Sequence, residues 1–495
     1  MSEDQTVKTK DKKEEEQKDK RKLLGLEPVR TEHTLTIEKR TLSYTATAGV
    51  LPLNDDKDET EAEIFFMAYE LDGTKDKAAR PLTFVFNGGP GSSSIWMHMG
   101  AVGPKRVRMQ AEGWMPAPPY RLEPNVHTWL DTTDLVFIDP VGTGYSRAAK
   151  EDLDKKFWSF KGDLESVGEF IRLYLARYQR WSSPLFLAGE SYGTTRAAGL
   201  AGTLIDKGIA FNGIILVSTA LDLRPIFFED GDDLPFQLFV PSYTAAAWYH
   251  KKLADDLQAR ALPDLLAEVE AWAESELTVA LMKGDRLDPD ERKAVAETLA
   301  RYTGLDVNYV LGTNLRINIW RFCKELNRAE RRSVGRFDSR FKGVEALEVT
   351  EHPEFDPSYL AILPPYTATF NDYIRGELGV ETDMPYEALS SKVSGKWAWE
   401  KGSLPRTGDS LRSAIAKNPY LKVFVGQGYY DLATPHFATA YMLSHMNVDP
   451  ALRDHIQMKH YFAGHMFYLD VESLAAFKDD VDAFIKEASS PEDAI

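Results

Sequence analysis

The spacing of apolar positions changes character twice along the chain. From about Thr34 to Leu53, residues rich in Thr, Val, Leu and Tyr alternate between apolar and polar, which predicts one or two half-buried antiparallel strands. The acidic patch Asn54 to Glu61 reads as a turn or loop, and Glu63 to Glu70 as the next strand. Asp72-Gly73 turns the chain again before the apolar run Pro81 to Phe86, which leads into AsnGlyGlyProGly. From Asp134 the pattern becomes short, wholly apolar runs: Leu135 to Ile138, Leu185 to Ala188 and Ile214 to Val217. Such runs suit strands covered on both faces. Between the first two, Leu164, Val167, Ile171, Leu175 and Tyr178 recur at helical spacing; between the second and third, Ala197, Leu200 and Leu204 do so and stop at Gly208. Strand alternating with helix predicts parallel βαβ units in an α/β sheet.

Between about Pro225 and Arg406 that alternation is lost. Pro263 starts and Gly284 ends one expected helix, with Leu266, Val269, Trp272 and Leu277 on a face, and Asp290 to Tyr302 is another. Strands resume at Val423 to Val425 and at Ile456 to Phe462, and Leu474, Phe477, Val481 and Phe484 mark a closing amphipathic helix. The expected organisation is therefore a charged, disordered tail over 1–30, a first core segment over 31–224, a mainly helical cap insertion over 225–405 and a second core segment over 406–495.

Charge and composition narrow the function classes. A net charge of −17 over 495 residues argues against a general nucleic-acid binder and against an anionic membrane surface as partner. The single cysteine, Cys323, excludes an intrachain disulfide and reads as a small buried hydrophobe. No CxxC, HExxH or paired Cys/His spacing occurs, so neither a metal site nor a cofactor is expected. Ser2 to Lys22 is almost wholly polar and lacks an apolar h-region, from which a cytoplasmic location is expected. Oligomeric state is not legible.

The chemistry gathers around GlyGluSerTyrGly, residues 189–193. It joins a predicted strand to a predicted helix, the context of a nucleophile elbow, with Ser191 as the nucleophile. A serine needs a base within reach and a third group to orient that base. Both are expected C-terminal to the elbow, in loops after the late strands. His465, in AlaGlyHisMet just past the apolar run ending at Phe462, has that placement; His436, His445, His455 and the strand residue His460 do not. Asp431, in GlyGlnGlyTyrTyrAsp after the preceding strand, is the matching acid. Oxyanion donors are expected from the Tyr192 N–H and from the AsnGlyGlyProGlySerSerSer loop at 87–94, where Gly88 and Gly89 allow close backbone approach. Asn87 and Glu190 flank the same elements. Asn87 can donate to a carboxylate, and Glu190 can do so only when protonated.

With these residues assembled, the chain resembles the serine carboxypeptidase family of α/β hydrolases. The similar stretches are 87–94, AspProValGlyThrGlyTyrSer at 139–146, 189–193, TyrTyrAspLeuAlaThrPro at 429–435 and GlyHisMet at 464–466. The resemblance implies an α/β-hydrolase fold, a mostly parallel central sheet flanked by helices with a large helical cap. It implies removal of C-terminal residues from a peptide substrate through an acyl-enzyme, with Ser191, His465 and Asp431 as triad and Gly89 and Tyr192 as oxyanion donors. It also implies a site for the substrate's terminal carboxylate at Asn87 and Glu190, with an acidic pH optimum. Val85 stands where many members carry tryptophan, and Ala101 where they carry a second glutamate. Lacking a leader and disulfides, the motifs resemble a bacterial branch of the family. An esterase or acyltransferase on the same scaffold is the alternative.

Overall fold

The structure is a computed structural model that describes residues 21–399 and 404–490. Of the segment expected as a tail, residues 1–20 lie outside the described residues. From Arg21 the chain is held in place: the Arg21 guanidinium pairs with Asp154 at 2.5 and 2.7 Å, and the Gly25 N–H donates to Glu63 Oε2 at 2.9 Å.

The chain divides into two compact units. The first is made of the described residues within Met1–Arg106, Pro124–Asn212 and Thr369–Pro405. Its strands are β1 (Val29–Ile37), β2 (Arg40–Asn54), β3 (Thr60–Leu71), β4 (Leu82–Phe86), β5 (Asp134–Ile138) and β6 (Leu185–Ser191). The order across this part of the sheet is β1-β2-β3-β5-β4-β6. The first three are antiparallel neighbours, the first two as the alternation from Thr34 to Leu53 predicts. β3 pairs antiparallel with β5, Phe66 opposite Ile138. From there the ladder is parallel: Val85 pairs with Phe137 on one side and Ala188 on the other. Every position of β4 and β5 is buried, which is why both read as mainly apolar runs, with Thr83 inside β4 and Asp134 opening β5 as the exceptions.

Helix α1 (Phe160–Arg177) and helix α2 (Tyr192–Leu204) belong to this unit. The Ser159 hydroxyl caps α1 by accepting from the Gly162 N–H. Its apolar face buries Leu164, Val167, Phe170, Ile171, Tyr174 and Leu175. Phe66 from β3 and Phe84 from β4 meet that face, Phe66 5.6 Å from Phe170 and Phe84 5.7 Å from Tyr174 between ring centroids. Each buried aromatic of this kind contributes on the order of 1.5–3 kcal/mol relative to exposure.

The second unit is made of the described residues within Val107–Glu123, Gly213–Ala368 and Arg406–Ile495. Its three parallel strands are β7 (Gly213–Thr219), β8 (Lys422–Gly428) and β9 (Ile456–Tyr461), with Leu216 opposite Val425 and Gly428 opposite Tyr461. Between β7 and β8 run α3 (Val240–Tyr249), α4 (Leu262–Trp272) and α5 (Pro289–Thr303). After β8 comes α6 (His436–Ser444), and α7 (Val471–Ser489) closes the chain. Phe477 and Phe484 of α7 lie 6.1 and 5.8 Å from Phe424 in β8, as their spacing predicts.

The helix expected from Pro263 to Gly284 is present over that span, with a π turn inside it. α4 passes through a π turn over Ala273–Leu277 before the helix resumes at Thr278–Lys283 and ends at Gly284, φ +53°. An unforeseen twenty-residue helix, Pro357–Gly376, contains Pro364 and Pro365. Two adjacent prolines argue against helix on local grounds.

Candidate active site

The nucleophile elbow is built within the first unit. Ser191 ends β6 with φ 59° and ψ −129°. A non-glycine residue held there costs on the order of 1–3 kcal/mol and persists only where its surroundings over-determine it. Here the Thr194 hydroxyl donates to the Ser191 carbonyl at 2.7 Å. At Gly189 an added Cβ would stand 2.2 Å from the Gly193 carbonyl oxygen, so the strand-to-helix turn closes only around glycine.

The glycine-rich loop lies against the elbow. A Cβ on Gly88 would come within 2.4 Å of the Tyr192 nitrogen and 2.7 Å of the Gly193 nitrogen. The loop backbone is thus in direct contact with the first turn of α2, whose N-terminal end favours negative charge. Gly89 adopts φ +102°. Arg196, on the second turn of α2, ties the pieces together. Its Nη1 donates to the Asn87 carbonyl at 2.6 Å and its Nε to Asp163 Oδ2 of α1 at 2.9 Å. The guanidinium lies 5.2 Å from the Phe86 ring centroid and 5.4 Å from that of Tyr192. Both charges are buried, and burial pushes the Asp163 carboxyl up against the opposing pull of Arg196.

Asp139, in the 139–146 stretch, holds the far end of the loop. One carboxylate oxygen accepts from both the Ser94 N–H and the Ser94 hydroxyl at 2.8 Å. Burial pushes its pKa up to about 6, although those two bonds favour the charged form. Asn87 is buried; its Oδ1 accepts from the Met97 N–H at 3.1 Å, and its Nδ2 has no hydrogen-bond partner among the described residues. Glu190 is buried beside the elbow, and Val85 and Ala101 are wholly buried.

The second unit holds the acid and the base. Asp431, fully buried in the turn after β8, accepts from the backbone N–H groups of Ala433 and Thr434 through Oδ1 at 2.6 and 3.0 Å. Its Oδ2 lies 2.8 Å from His465 Nδ1 and accepts from the Thr434 hydroxyl at 2.8 Å. His465 is 3% exposed. With Nδ1–H directed at the carboxylate, Nε2 is the nitrogen that carries the lone pair a general base needs. The Ser218 hydroxyl, on a residue with φ +53° at the end of β7, donates to the His465 carbonyl at 2.5 Å.

The sequence-selected residues therefore gather in two sets. Asn87, Gly88, Gly89, Glu190, Ser191 and Tyr192 belong to the first unit, and Asp431 and His465 to the second. Of the histidines passed over, His436 bonds to Glu270 Oε1 at 3.0 Å, and His460 stacks on Tyr429 from within β9. Sequence reasoning missed Arg196, Thr434, Ser218 and the 336–340 segment described below. Thr434 lay inside a quoted motif and could have been found; an isolated Ser after an apolar run carries no signal. Among the described residues no cluster of His, Cys, Asp or Glu could hold a metal ion, and no helix is long and apolar enough to cross a membrane.

A strained serine at a strand-to-helix turn, with an Asp–His pair after the late strands, defines the class of α/β-hydrolases. The serine carboxypeptidase family profile matches residues 38–467, and the chain belongs to that family. Serine carboxypeptidase-like 5 of Arabidopsis thaliana is 31% identical over 138 residues, 27% of this chain and 30% of that protein. The pheromone-processing carboxypeptidase KEX1 of Saccharomyces cerevisiae is 32% identical over 158 residues, 29% of this chain and 20% of that protein. The matched stretches thus span less than a third of either relative. The crystal structure of Kex1(Δ)p, a prohormone-processing carboxypeptidase from Saccharomyces cerevisiae, shares the fold, with a TM-score of 0.54 at 16% identity, covering 89% of this chain and 91% of that one.

Proposed function

We propose that the protein is a serine-type carboxypeptidase that hydrolyses C-terminal peptide bonds through an acyl-enzyme. Ser191 attacks the scissile carbonyl, His465 takes its proton and returns it to the leaving amine, and Asp431 holds the imidazole in the required tautomer. Backbone N–H groups of the Gly88-Gly89 loop and of Tyr192 receive the oxyanion. The observation that carries the catalytic reading is the buried His465–Asp431 pair, with Oδ1 of the acid locked by two backbone donors.

The choice of a peptide's free C-terminus over an ester rests on Asn87. A buried amide donor left without a partner costs on the order of 1–3 kcal/mol, and Asn87 Nδ2 is such a donor. A substrate carboxylate would satisfy it, with protonated Glu190 as the companion donor. Peptide substrates, rather than nucleic acid or a membrane surface, and a cytoplasmic location complete the reading; the net charge of −17 accords with it.

The test compares a blocked dipeptide bearing a free carboxyl with its amidated twin across pH, for wild type and Asn87→Ala. The free acid is expected to be cleaved faster, increasingly so toward acid pH, and the variant to lose that preference through KM. Equal rates on both twins, or activity on esters alone, would replace this reading by that of an esterase or acyltransferase.

A further inference from the structure

The loops that carry Asp431 and His465 do not hold each other in place by backbone bonding alone. A third segment of the same unit, ArgPheAspSerArg at 336–340, runs along both. Toward the acid, the Leu432 N–H donates to the Arg336 carbonyl at 3.0 Å, and the Ser339 N–H and hydroxyl both donate to the Tyr430 carbonyl at 3.0 Å. Toward the base, the His465 N–H donates to the Phe337 carbonyl, and the Gly464 N–H donates to Asp338 Oδ2 at 3.1 Å. The Phe337 ring stacks on the His465 imidazole, centroids 5.1 Å apart and planes 24° from parallel. Asp338 is itself fixed by Arg340, whose guanidinium pairs with it at 2.8 Å, reaches the Phe462 carbonyl at 3.2 Å and lies over the Tyr430 ring at 5.6 Å. Asp338 and Arg340 are both buried. The segment has its own anchor: the Ser339 carbonyl accepts from His250 Nε2 at 2.6 Å.

We propose that 336–340 is the positioning element of the catalytic base: Asp338 and Phe337 set where the imidazole sits and how it faces Asp431. The inference rests on the catalytic reading above. These residues act through their contacts with His465 and Gly464. A buried ion pair is a weak way to stabilise a fold, because desolvation offsets much of the attraction. Here its carboxylate accepts from the Arg340 N–H within its own segment and, through Oδ2, from the Gly464 N–H next to the base, and that second bond suits orientation.

The experiment uses the full chain with Phe337→Leu and Asp338→Asn, and Ser191→Ala and His465→Ala as controls. Readouts are kcat and KM on the free-acid dipeptide, the rate of fluorophosphonate labelling, thermal unfolding, and the far-downfield proton resonance of the His465 Nδ1–H, assigned by its loss in His465→Ala. A displacement of about 1 Å in a catalytic group costs about 10²-fold in rate. Both variants are therefore expected to lose about 10- to 10²-fold in kcat and in labelling with KM unchanged, and the downfield resonance to move or broaden. Folded variants with wild-type kcat and an unmoved resonance overturn the proposal. If Asp338→Asn does not fold, Phe337→Leu, which keeps every backbone bond of the segment, decides alone. If the two alanine controls still label, the catalytic reading itself has failed; if they do not label while Phe337→Leu matches wild type, only the positioning role has.

Discussion

Asp431→Asn isolates the role of a single proton. In the wild type Oδ1 faces two backbone donors, the N–H groups of Ala433 and Thr434, and Oδ2 faces His465 Nδ1. An asparagine keeps the shape, but its amide has one oxygen and one NH₂. Turning the NH₂ toward Ala433 and Thr434 would oppose donor to donor twice at 2.6 and 3.0 Å in a fully buried site. The oxygen must therefore stay there, and the NH₂ must face His465. The imidazole then presents a lone pair at Nδ1 and carries its proton on Nε2, the wrong tautomer for a base. Asparagine at the orienting position of a serine triad lowers kcat about 10⁴-fold, or roughly 5.4 kcal/mol. The expected result is that loss in kcat on the free-acid dipeptide, with KM nearly unchanged and thermal unfolding shifted by only a few degrees. A folded Asp431→Asn enzyme within about tenfold of wild type would refute the argument, because it would mean that the bonds to Oδ1 do not dictate the amide orientation, or that His465 is not the base.

Other outcomes follow from the first unit. Arg196→Met leaves the Asp163 carboxylate buried without its partner and should destabilise the protein by about 3–5 kcal/mol; Asp163→Asn combined with it should recover part of that, as read by chemical denaturation. Asp139 has a folded pKa of about 6 against 3.8 for an ordinary side chain. Its contribution is fully present below the lower value and lost as pH rises through the higher one. The gap corresponds to about 3 kcal/mol, so Asp139→Asn should gain on the wild type by about that much between pH 4 and pH 7 in denaturation midpoints converted to free energy. Gly88→Ala would set a Cβ 2.4 Å from the Tyr192 nitrogen. It should force the loop off the elbow and lower kcat by about 10²-fold or more, with labelling of Ser191 slowed less than turnover if the loop serves the oxyanion.

Much of this site was readable from the chain alone, because its parts are set by local rules. Gly189 and Gly193 bracket Ser191 in a turn that no bulkier residue could close, and an apolar run before and a helical pattern after announce it. The apolar runs Phe84–Phe86 and Leu135–Ile138 declare their strands because both faces are buried. The 431 and 465 positions follow from chain order and from strand ends. Other features depend on residues brought together across long sequence separations, and no period or motif encodes those meetings. Asp338 lies 126 positions from the Gly464 N–H it accepts, Arg196 lies 109 from Asn87, and Ser218 lies 247 from His465. The Pro357–Gly376 helix carries two interior prolines against its local propensity, and the π turn at Ala273–Leu277 sits inside a continuous helix whose periodicity gave no sign of it. Local backbone preference and hydrophobic period are properties of a few consecutive residues, so they can be read in order. The bonds that aim a buried imidazole are satisfied by whichever polar group the folded chain delivers to that spot, and that delivery is a property of packing.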